Sequence, residues 1–527
     1  MKHQSLLSGI KSLGIMLSLG LALASCTKDD VAQNPAKPNE EENKNLTTFV
    51  AGGENKTRTS MDYNSGDFYW EAGDYIYVKD DNGELMKSTN APTSKVASFN
   101  YKVPGKFGAS ASYKVYYLGK NSSGNSVTIS TNQTQTAPDN TEHFGTAGDY
   151  GTATATGSVG GKVFSFQLEH HPAYLVFQPY TSNTILQSCK LTKVEVTSDN
   201  DIAETYTVNT STGALTGSAG SKQIVLTTSG SSSNPNGFPL TNNSASVTTN
   251  GAYMVIKPGT HTLRVRYWVK YVAAGTWGVI REGTITKIYP STAYASNTYY
   301  DMTADLNVKD YDGDHYYMWD AQQQYWYGYE WTKNLGAGVG QPTVMSPTAN
   351  PNYPKSNTDP RYFHEGSGGF QASNSCSTLP NVNEMTWYAA KGDPRWDKDE
   401  LWTTMGHLYK GGMWFKKKAN ISGFNGNTAF DGSDWRIGVK YKIWSVPQTL
   451  PDAADAGNYF YLPALGWYNY GKLREVGRTG YYWSSSGGPK SSSNNTFAYA
   501  MTLYRGNVYV YTDAYRNCGF RAEALFE

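Results

Sequence analysis

The stretch FSFQLEHHPAYLVFQPY, residues 164–180, decides the fold class of this chain. Apolar side chains alternate with polar ones in its first part, and an aliphatic and aromatic run follows His170 and His171. Alternation with period two is typical of a β-strand, because successive side chains of a strand point to opposite faces. We therefore predict strands here, with one histidine packed and the other exposed, so that the two cannot chelate a metal together.

The same pattern recurs on both sides of this stretch. Short runs rich in tyrosine, valine and isoleucine are separated by glycine, asparagine, serine and proline, as expected for strands joined by turns. Many short strands at this spacing predict β-sandwiches. Residues 217–250 are predicted to form a long surface connection with one strand at residues 222–228. The other runs are residues 68–83, 112–119, 190–198, 252–259 and 261–272.

The composition indicates a β-rich protein without a strongly charged partner. The chain has 41 tyrosines against 18 phenylalanines, which favours half-buried surfaces where a ring packs and its hydroxyl stays hydrated. Its 45 basic and 44 acidic residues give no field that would attract nucleic acid, so no nucleic-acid partner is predicted. The 8 histidines and 4 cysteines form no zinc-binding spacing, and we predict no metal and no cofactor.

The N-terminus indicates export and lipid anchoring. A basic start precedes the apolar run LGIMLSLGLALAS, residues 13–25, which has about the length of a signal-peptide core. LASC, residues 23–26, resembles a bacterial lipobox, so we predict a signal peptide at residues 1–25 and lipidation of Cys26; an ordinary cleaved signal is the alternative. Residues 26–46 are polar and predict a flexible tether. The expected location is the outer membrane at the cell surface, with membrane contact through the lipid only.

Three motifs in the first half resemble the fimbrillin superfamily of lipoprotein pilins, which includes the Mfa-like proteins. They are FVAGGENKTRTS at residues 49–60, FYWEAGDYIYV at residues 68–78 and LEHHPAYLVF at residues 168–177. The resemblance implies two transthyretin-like β-sandwich subdomains, which we place at residues 47–180 and 181–305. It also implies assembly into, or attachment to, a type V pilus, with other pilins as partners through strand exchange.

Proteolytic maturation is a further implication of this resemblance. In that family an arginine-specific protease can remove the N-terminal segment and open a groove for the strand of a neighbour. Arg58, in KTRTS, is the candidate cut site, and a plain exposed arginine is the alternative.

The sequence pattern of the chain changes after residue 305. Asn381 or Asn383 is positioned to cap a helix that Gly392 would end, and residues 397–408, with an acidic start, predict a second helix. Short strands follow to the C-terminus, which predicts an α+β domain at residues 306–527.

Four motifs in this region resemble the C-type-lectin-fold domains of proteins diversified by retroelements. More distantly, the region is similar to the fold of the formylglycine-generating enzyme. The resemblance implies a ligand-binding domain whose last strand belongs to its own fold, and hence a terminal subunit instead of a stalk subunit. The motifs are NEMTWYAAKGDPRW, MGHLYKGGMWFKKK, YFYLPALGW and GYYWSSS, at residues 383–396, 405–418, 459–467 and 480–486.

Tyrosines and arginines near the C-terminus are the candidate ligand-binding residues. In NVYVYTD, Val508 and Val510 should face the core, while Tyr509 and Tyr511 face the other side. Tyrosine and arginine supply rigid contact area and hydrogen bonds at binding hot spots, although a tyrosine-rich solvated sheet face would have the same pattern. The candidates are Tyr468, Tyr470, Arg474, Arg478, Tyr481, Tyr504, Arg505, Tyr509, Tyr511, Asp513, Tyr515 and Arg516.

The retroelement resemblance implies which positions could vary. Mutagenesis in those systems changes adenines, so an AAC codon can become tyrosine, aspartate or arginine, among others, but not lysine, glutamate, tryptophan or methionine. All the candidates above, together with Asn469, are reachable in this way. Trp467, Lys472, Glu475, Trp483 and Met501 are not, and we expect them to be scaffold.

Two other sets of residues suggest chemistry less strongly. Asp310, Asp312 and Asp314 alternate as calcium ligands can, but the EF-hand pattern is incomplete and Asx turns are the better interpretation. Cys376 and Cys518 lie where a formylglycine-type oxidase would need cysteines, yet neither sits in a redox motif. With Cys189, three cysteines remain after Cys26, so at most one disulfide forms.

The sequence as a whole predicts a mainly β, lipid-anchored surface adhesin or pilus-tip subunit that is not an enzyme. Its expected ligand is an extracellular protein or glycan. A carbohydrate-binding lipoprotein of a glycan-uptake system is the alternative, and a formylglycine-type oxidase is the second alternative.

Overall fold

The computed structural model describes residues 2–5, 46–52, 60–66, 68–122, 124–209, 211–271, 282–330, 349–364, 370–489 and 496–527. The predicted lipidation site Cys26, the candidate cut site Arg58 and nearly all of the predicted signal peptide and tether lie outside these residues. No helix within the described ranges is long and apolar enough to cross a bilayer.

The first part of the chain forms short strands and one helical turn. β1 pairs in parallel with a strand near residue 300, and the others build an eight-stranded sheet and smaller pairings. The elements are β1 (Lys2–Ser5), β2 (Leu46–Ala51), β3 (Ser60–Met61), β4 (Phe68–Tyr69), β5 (Tyr77–Lys79), β6 (Leu85–Lys87), β7 (Phe99–Pro104), β8 (Ser112–Tyr117), β9 (Ser126–Thr128), β10 (Asn132–Thr134), α1 (Phe144–Ala147), β11 (Gly151–Gly157), β12 (Val163–Phe166) and β13 (Glu169–His170).

β2 occupies an interior position in the eight-stranded sheet. The strand order is β6-β5-β8-β11-β12-β2-β7, with β13 beside β11. β2 is parallel to β12 and antiparallel to β7, so both of its edges are paired. Thr47, Phe49 and Ala51 are buried on one face, because alternate residues of the strand point into the core.

The middle of the chain forms two packed layers of strands, which follow the eight-stranded sheet and which we call the second pair of layers. β14, β20 and β23 form one layer with β1, and β15, β18, β21 and β22 form the other with β10 and β19, with a common apolar core between them. The elements are β14 (Ala173–Tyr180), α2 (Thr184–Gln187), β15 (Cys189–Ser198), β16 (Ala203–Val208), β17 (Leu215–Ser221), β18 (Gln223–Thr227), β19 (Phe238–Pro239), α3 (Val247–Asn250), β20 (Ala252–Ile256), β21 (Gly259–Tyr271), β22 (Glu282–Tyr294) and β23 (Thr298–Asp305).

Residues 164–180 connect these two parts. They contribute β13 and most of β12 to the first sheet and β14 to the second pair of layers. The chain therefore passes from the first sheet to the second pair of layers between His170, the end of β13, and Ala173, the start of β14. His170 is fully buried beside Asp149, whereas His171 is half-buried, and the predicted strand at residues 222–228 is β18.

The remainder of the chain is α+β, with a six-stranded sheet ordered β24-β34-β31-β32-β33-β27. The mainly β fold class is confirmed. The elements are β24 (Tyr316–Tyr317), α4 (Val382–Lys391), β25 (Arg395–Thr404), β26 (His407–Lys416), β27 (Tyr441–Ser445), β28 (Tyr459–Pro463), β29 (Trp467–Asn469), β30 (Lys472–Arg474), β31 (Thr479–Gly487), β32 (Phe497–Tyr504), β33 (Asn507–Tyr515), β34 (Phe520–Arg521) and single 3-10 turns at Lys418–Asn420, Trp435–Ile437 and Ala456–Asn458.

The first predicted helix is present and the second is not. Asn381 and Glu384 form a capping box at the start of α4, and Gly392 ends it. Residues 397–408 were predicted to be helical from their acidic start, but this prediction is wrong. They form the β25–β26 hairpin, which turns at Met405 and Gly406 (φ 48° and 77°), and their carboxylates bind basic side chains instead of capping a helix.

One β-bridge joins the second pair of layers to the C-terminal region. Thr284 of β22 pairs in parallel with Glu400 of β25. This bridge joins the strands into one sheet, whose order is β10-β18-β15-β21-β22-β25-β26-β28.

Candidate ligand-binding groove

One open groove of about 560 Å³ crosses the exposed face of the six-stranded sheet. We call it the tyrosine groove, because six tyrosines line it together with Trp467 and Phe520. The lining residues are Val439, Tyr441, Ile443, Trp467, Tyr481, Thr502, Tyr504, Tyr509, Tyr511, Thr512, Asp513, Ala514, Tyr515, Cys518 and Phe520.

Alternation along β33 produces this face. Val508 and Val510 are fully buried, and Tyr509 and Tyr511 on the opposite face are half-buried in the groove. The predicted orientation of these four residues is confirmed. The valines fix the strand against the core, so the tyrosine rings project from a rigid backing.

A small side chain of β32 lies in the floor of the groove. In the sheet register, Thr502 lies between Tyr481 and Tyr509, and all three line the groove. A small residue between two aromatic residues on neighbouring strands, which are only about 4.8 Å apart, leaves space above it.

The aromatic rings that line the groove contact one another in series. Ring centroids are 5.2 Å apart for Trp467 and Tyr481, 4.8 Å for Tyr481 and Phe520, and 5.1 Å for Tyr504 and Tyr509. These edge and tilted contacts stabilise the positions of the rings.

The groove is apolar and largely neutral. The hydroxyls of Tyr481 and Tyr504 are hydrogen-bonded at 3.0 Å, and Thr502 Oγ1 donates to Tyr511 Oη at 3.0 Å. Burial raises the pKa of Tyr481 well above its usual range, and the hydrogen bond with Tyr504 raises it further. Burial also raises the pKa of Tyr511 well above its usual range. The phenols of Tyr481 and Tyr511 are therefore uncharged at neutral pH. Asp513 is the one carboxylate among the lining residues.

The predicted ligand-binding residues fall into three sets. Tyr481, Tyr504, Tyr509, Tyr511, Asp513 and Tyr515 line the tyrosine groove. Tyr470, Arg474, Arg478 and Arg505 are exposed but do not line it. The side chain of Arg505 donates to Gln448 Oε1 at 3.2 Å, beside the turn that joins β32 to β33.

Tyr468 and Arg516 form the third set, and their predicted place on the contact surface is wrong. Tyr468 is fully buried and stacks on Tyr325 at 5.0 Å. Arg516 is 2% exposed, with its guanidinium 4.1 Å from the centre of the Trp319 ring and its Nε donating to Phe497 O at 2.8 Å. Burial lowers the pKa of Arg516 to about 10. Tyr468 therefore belongs to the core, and Arg516 lies away from the groove, in the lining of a separate cavity beside Trp319 and Asp320.

Sequence reasoning missed the residues of the groove that come from β27 and from the segment just before it. Val439, Tyr441 and Ile443 are 72%, 76% and 46% exposed, which is unusual for large apolar side chains. They alternate with Lys440 and Lys442. That period-two pattern was visible in the sequence and could have indicated a strand with one apolar and one basic face.

Two of the five expected scaffold residues, Trp483 and Met501, are fully buried. Lys472 and Glu475 are only half-buried. Trp467 is also half-buried and lines the groove.

The other two candidate chemistries have structural explanations. Asp312 Oδ1 accepts from the Asp314 backbone N at 2.8 Å, which is the predicted Asx turn, and no metal-binding cluster of three or more His, Cys, Asp or Glu occurs in the described ranges. Cys376 and Cys518 are buried, and burial raises the pKa of each thiol to about 12. Thiols at such pKa values are poor nucleophiles at neutral pH.

Comparisons with known proteins give distant likenesses only. No family model and no curated protein matches the chain. A "putative cell adhesion protein" from Bacteroides ovatus has 13% identity and a TM-score of 0.29, and the match covers 49% of this chain and 93% of that one. The fimbrial anchor protein Mfa2 from Porphyromonas gingivalis has 11% identity and a TM-score of 0.22, covering 43% and 78%. A fimbrial protein from Bacteroides ovatus has 13% identity and a TM-score of 0.23, covering 90% and 100%. Values this low establish neither the family nor the function of the chain.

Proposed function

We propose that this protein is a surface-exposed lipoprotein adhesin or pilus-tip subunit that binds an extracellular ligand through the tyrosine groove. One observation carries this proposal: six tyrosines, Trp467 and Phe520 converge on one open groove of about 560 Å³. Tyrosine and tryptophan present large, rigid contact area at a low cost in conformational entropy, as they do in the binding sites of antibodies.

The chemistry of the side chains that line the groove supports binding instead of catalysis. Burial raises the pKa values of Tyr481 and Tyr511 and of the Cys518 thiol, and Asp513 has no second carboxylate beside it among the lining residues. Acid–base or nucleophilic catalysis would need groups that titrate near neutral pH.

Diversification of the groove by a retroelement is the second element of the proposal. The adenine-reachable residues Tyr504, Tyr509, Tyr511 and Tyr515 lie on the groove, whereas the unreachable Trp483 is fully buried. Sequencing this locus in many isolates should therefore show variation at the groove tyrosines and none at Trp483. Equal variation at Trp483 and Tyr509 would contradict this part of the proposal.

Strand exchange with neighbouring pilins is the third element. A cut after Arg58 would separate β2 from the rest of the chain, and β2 lies between β7 and β12. Its loss would uncover the apolar surface that Phe49 covers, where the rings of Phe107 and Phe164 lie 5.1 and 5.5 Å from the Phe49 ring. β33 and β34 are paired within their own sheet, so neither is free to serve as a donor strand.

A carbohydrate ligand is the second candidate, favoured by the half-exposed ring of Trp467 beside Tyr481. The full-length chain should be tested on a glycan array and on a panel of immobilised extracellular proteins. The double variant Tyr509→Ala/Tyr511→Ala should weaken any specific binding about tenfold or more. Tyr327→Ala, which removes an exposed tyrosine outside the groove, is the matched control. Binding that the double variant leaves unchanged would refute the groove as the site.

A further inference from the structure

We propose that an extended protein segment pairs with the outer edge of β27 as an added strand beside the tyrosine groove, and that the residues of this segment alternate between apolar and acidic. This inference rests on the proposed ligand-binding function and names the class of the ligand. It depends on three features of β27 and of the residues just before it.

The first feature is the position of β27 in the sheet. β27 ends the strand order and pairs only with β33 among the described residues. An unpaired edge presents backbone donors and acceptors that can accept another strand.

The second feature is which backbone groups point outward. Val446 N donates to Gly506 O at 2.7 Å, which fixes the phase of the antiparallel ladder. Lys442 and Trp444 therefore exchange hydrogen bonds with Val510 and Val508, because hydrogen-bonded and non-hydrogen-bonded pairs alternate. The N–H and C=O groups of Tyr441 and Ile443 point away from β33, and no hydrogen bond to them occurs within the described ranges.

The third feature is the alternation of side chains. Ten large hydrophobic side chains are exposed in the described ranges, and Ile437, Val439, Tyr441 and Ile443 follow one another among them at every second position. The last three line the tyrosine groove. An added strand would place every second side chain beside this apolar row, where burial is favourable by about 25 cal/mol per Å².

The lysines determine the charge of the partner. Lys440 and Lys442 are exposed and alternate with the apolar row. Neither forms an ion pair in the part of the chain that the structure describes, and Lys442 Nζ lies 4.6 Å from the centre of the Phe430 ring. Since successive residues of an added strand point to opposite faces, the side chains that do not meet the apolar row would lie near these lysines. Acidic residues there would be attracted, and basic residues would be repelled.

The same features argue against the other occupants. A second copy of this chain, paired through β27, would bring lysine to lysine. A glycan needs several polar groups to bind its hydroxyls, but the groove offers only Asp513 and two threonines as polar side chains besides its phenols and Cys518. The aliphatic Val439 and Ile443 have no face on which a sugar ring could stack.

Four synthetic peptides test the proposal on the full-length protein. The first peptide alternates valine with glutamate over 11 residues, and the second has lysine in place of glutamate. The third has the composition of the first, with all valines in one block and all glutamates in another. The fourth has the sequence of the first, with N-methyl groups on alternate backbone amides. Fluorescence anisotropy gives each Kd. We expect the first peptide to bind about tenfold or more tightly than each of the others, because they lack its charge, its alternation or its backbone donors.

Charge reversal on the protein completes the test. The double variant Lys440→Glu/Lys442→Glu should bind the lysine peptide better than the glutamate peptide, while Lys114→Glu/Lys162→Glu, on the first sheet, should keep the original preference. Thermal unfolding confirms that both variants are folded. Equal affinity for the N-methylated and unmodified peptides would overturn the proposal. A concentration-dependent dimer, in sedimentation, that the neutralising variant Lys440→Gln/Lys442→Gln strengthens would also overturn it.

The proposed function fails separately from this inference. A ligand found on the glycan or protein panels that requires Tyr509 and Tyr511 but binds the Lys440→Glu/Lys442→Glu variant with unchanged affinity would refute the added strand and leave the groove as the site. A ligand that binds both double variants with unchanged affinity would refute both.

Discussion

Arg266 and Asp397 form a buried ion pair across the junction between the second pair of layers and the C-terminal region. Arg266 Nη2 lies 2.9 Å from Asp397 Oδ1, and both side chains are almost inaccessible to solvent. Arg266 belongs to β21 and Asp397 to β25. The same arginine donates to Thr284 Oγ1 at 2.7 Å, beside the bridge between Thr284 and Glu400.

Breaking this pair should destabilise the protein strongly. Arg266→Met leaves Asp397 buried without its partner, and such losses cost about 3–5 kcal/mol. Replacing both residues, as Arg266→Met/Asp397→Leu, should recover most of the loss, because the uncompensated charge is gone. Chemical denaturation followed by tryptophan fluorescence measures the free energy of unfolding. Lys398→Met, one residue away and exposed, is the control and should change it by less than about 0.5 kcal/mol.

Glu400 should make the stability of this junction depend on pH. Burial, and then the neighbouring Asp397, raise the pKa of Glu400 from its ordinary value of 4.5 to about 7. The folded state therefore holds this proton more tightly than the unfolded state, so the contribution of Glu400 is most favourable below pH 4.5 and declines as the pH rises to about 7. Glu400→Gln should remove this decline. We expect the melting temperature of Glu400→Gln to rise relative to that of the wild type as the pH is increased from 4 to 8. A difference that stays constant over this range would contradict the raised pKa of Glu400.

Tyr468 and Tyr470 should differ sharply although only one residue separates them. Tyr468 is fully buried against Tyr325, so Tyr468→Ala should cost about 3–5 kcal/mol. Tyr470 is 63% exposed, and Tyr470→Ala should cost less than about 0.5 kcal/mol. Urea denaturation of the two variants compares them directly. Similar losses would show that the hairpin β29–β30 packs differently.

Strand replacement at β2 can be measured with a labelled peptide. After cleavage at Arg58, a synthetic peptide of residues 44–52 should exchange into the position of β2, because both neighbouring strands offer backbone partners. Fluorescence anisotropy reports its uptake. The uncut chain should take up none, and the peptide with Phe49→Asp should fail, since Phe49 is fully buried.

The cysteines should resist alkylation in the folded protein. Cys189, Cys376 and Cys518 are buried, and burial raises the pKa of each to about 12. Iodoacetamide at pH 8 should modify them only after unfolding, as mass spectrometry of the intact protein would show. Rapid modification of Cys376 or Cys518 in the folded state would favour the oxidase alternative.

Local patterns predicted much of this architecture. The alternation of Val508 with Tyr509 and the capping residues of α4 depend on neighbours in the sequence, and both were predicted correctly. The charged residues of β25 misled the prediction, because their partners are distant: Asp397 binds Arg266 and Asp399 binds Lys410.

The composition of the groove was harder to predict for the same reason. Tyr468 resembles Tyr470 in its local sequence, and its burial is decided by Tyr325 and Trp326, more than a hundred positions earlier in the chain. Arg516 is removed from the surface by Trp319, which also lies far away in the sequence. Codon reasoning identifies which residues can change, but it does not distinguish exposed positions from buried ones.

The interior position of β2 would have a mechanical consequence if the chain is tethered through its N-terminus, as we propose. Consider a pull along the axis of β2, which lies between β7 and β12. Such a load shears the hydrogen bonds on both sides of the strand together, instead of peeling them apart one at a time. The uncut protein would therefore withstand tension from a bound ligand at the strand nearest its anchor, and a cut at Arg58 would release that clamp at a single peptide bond.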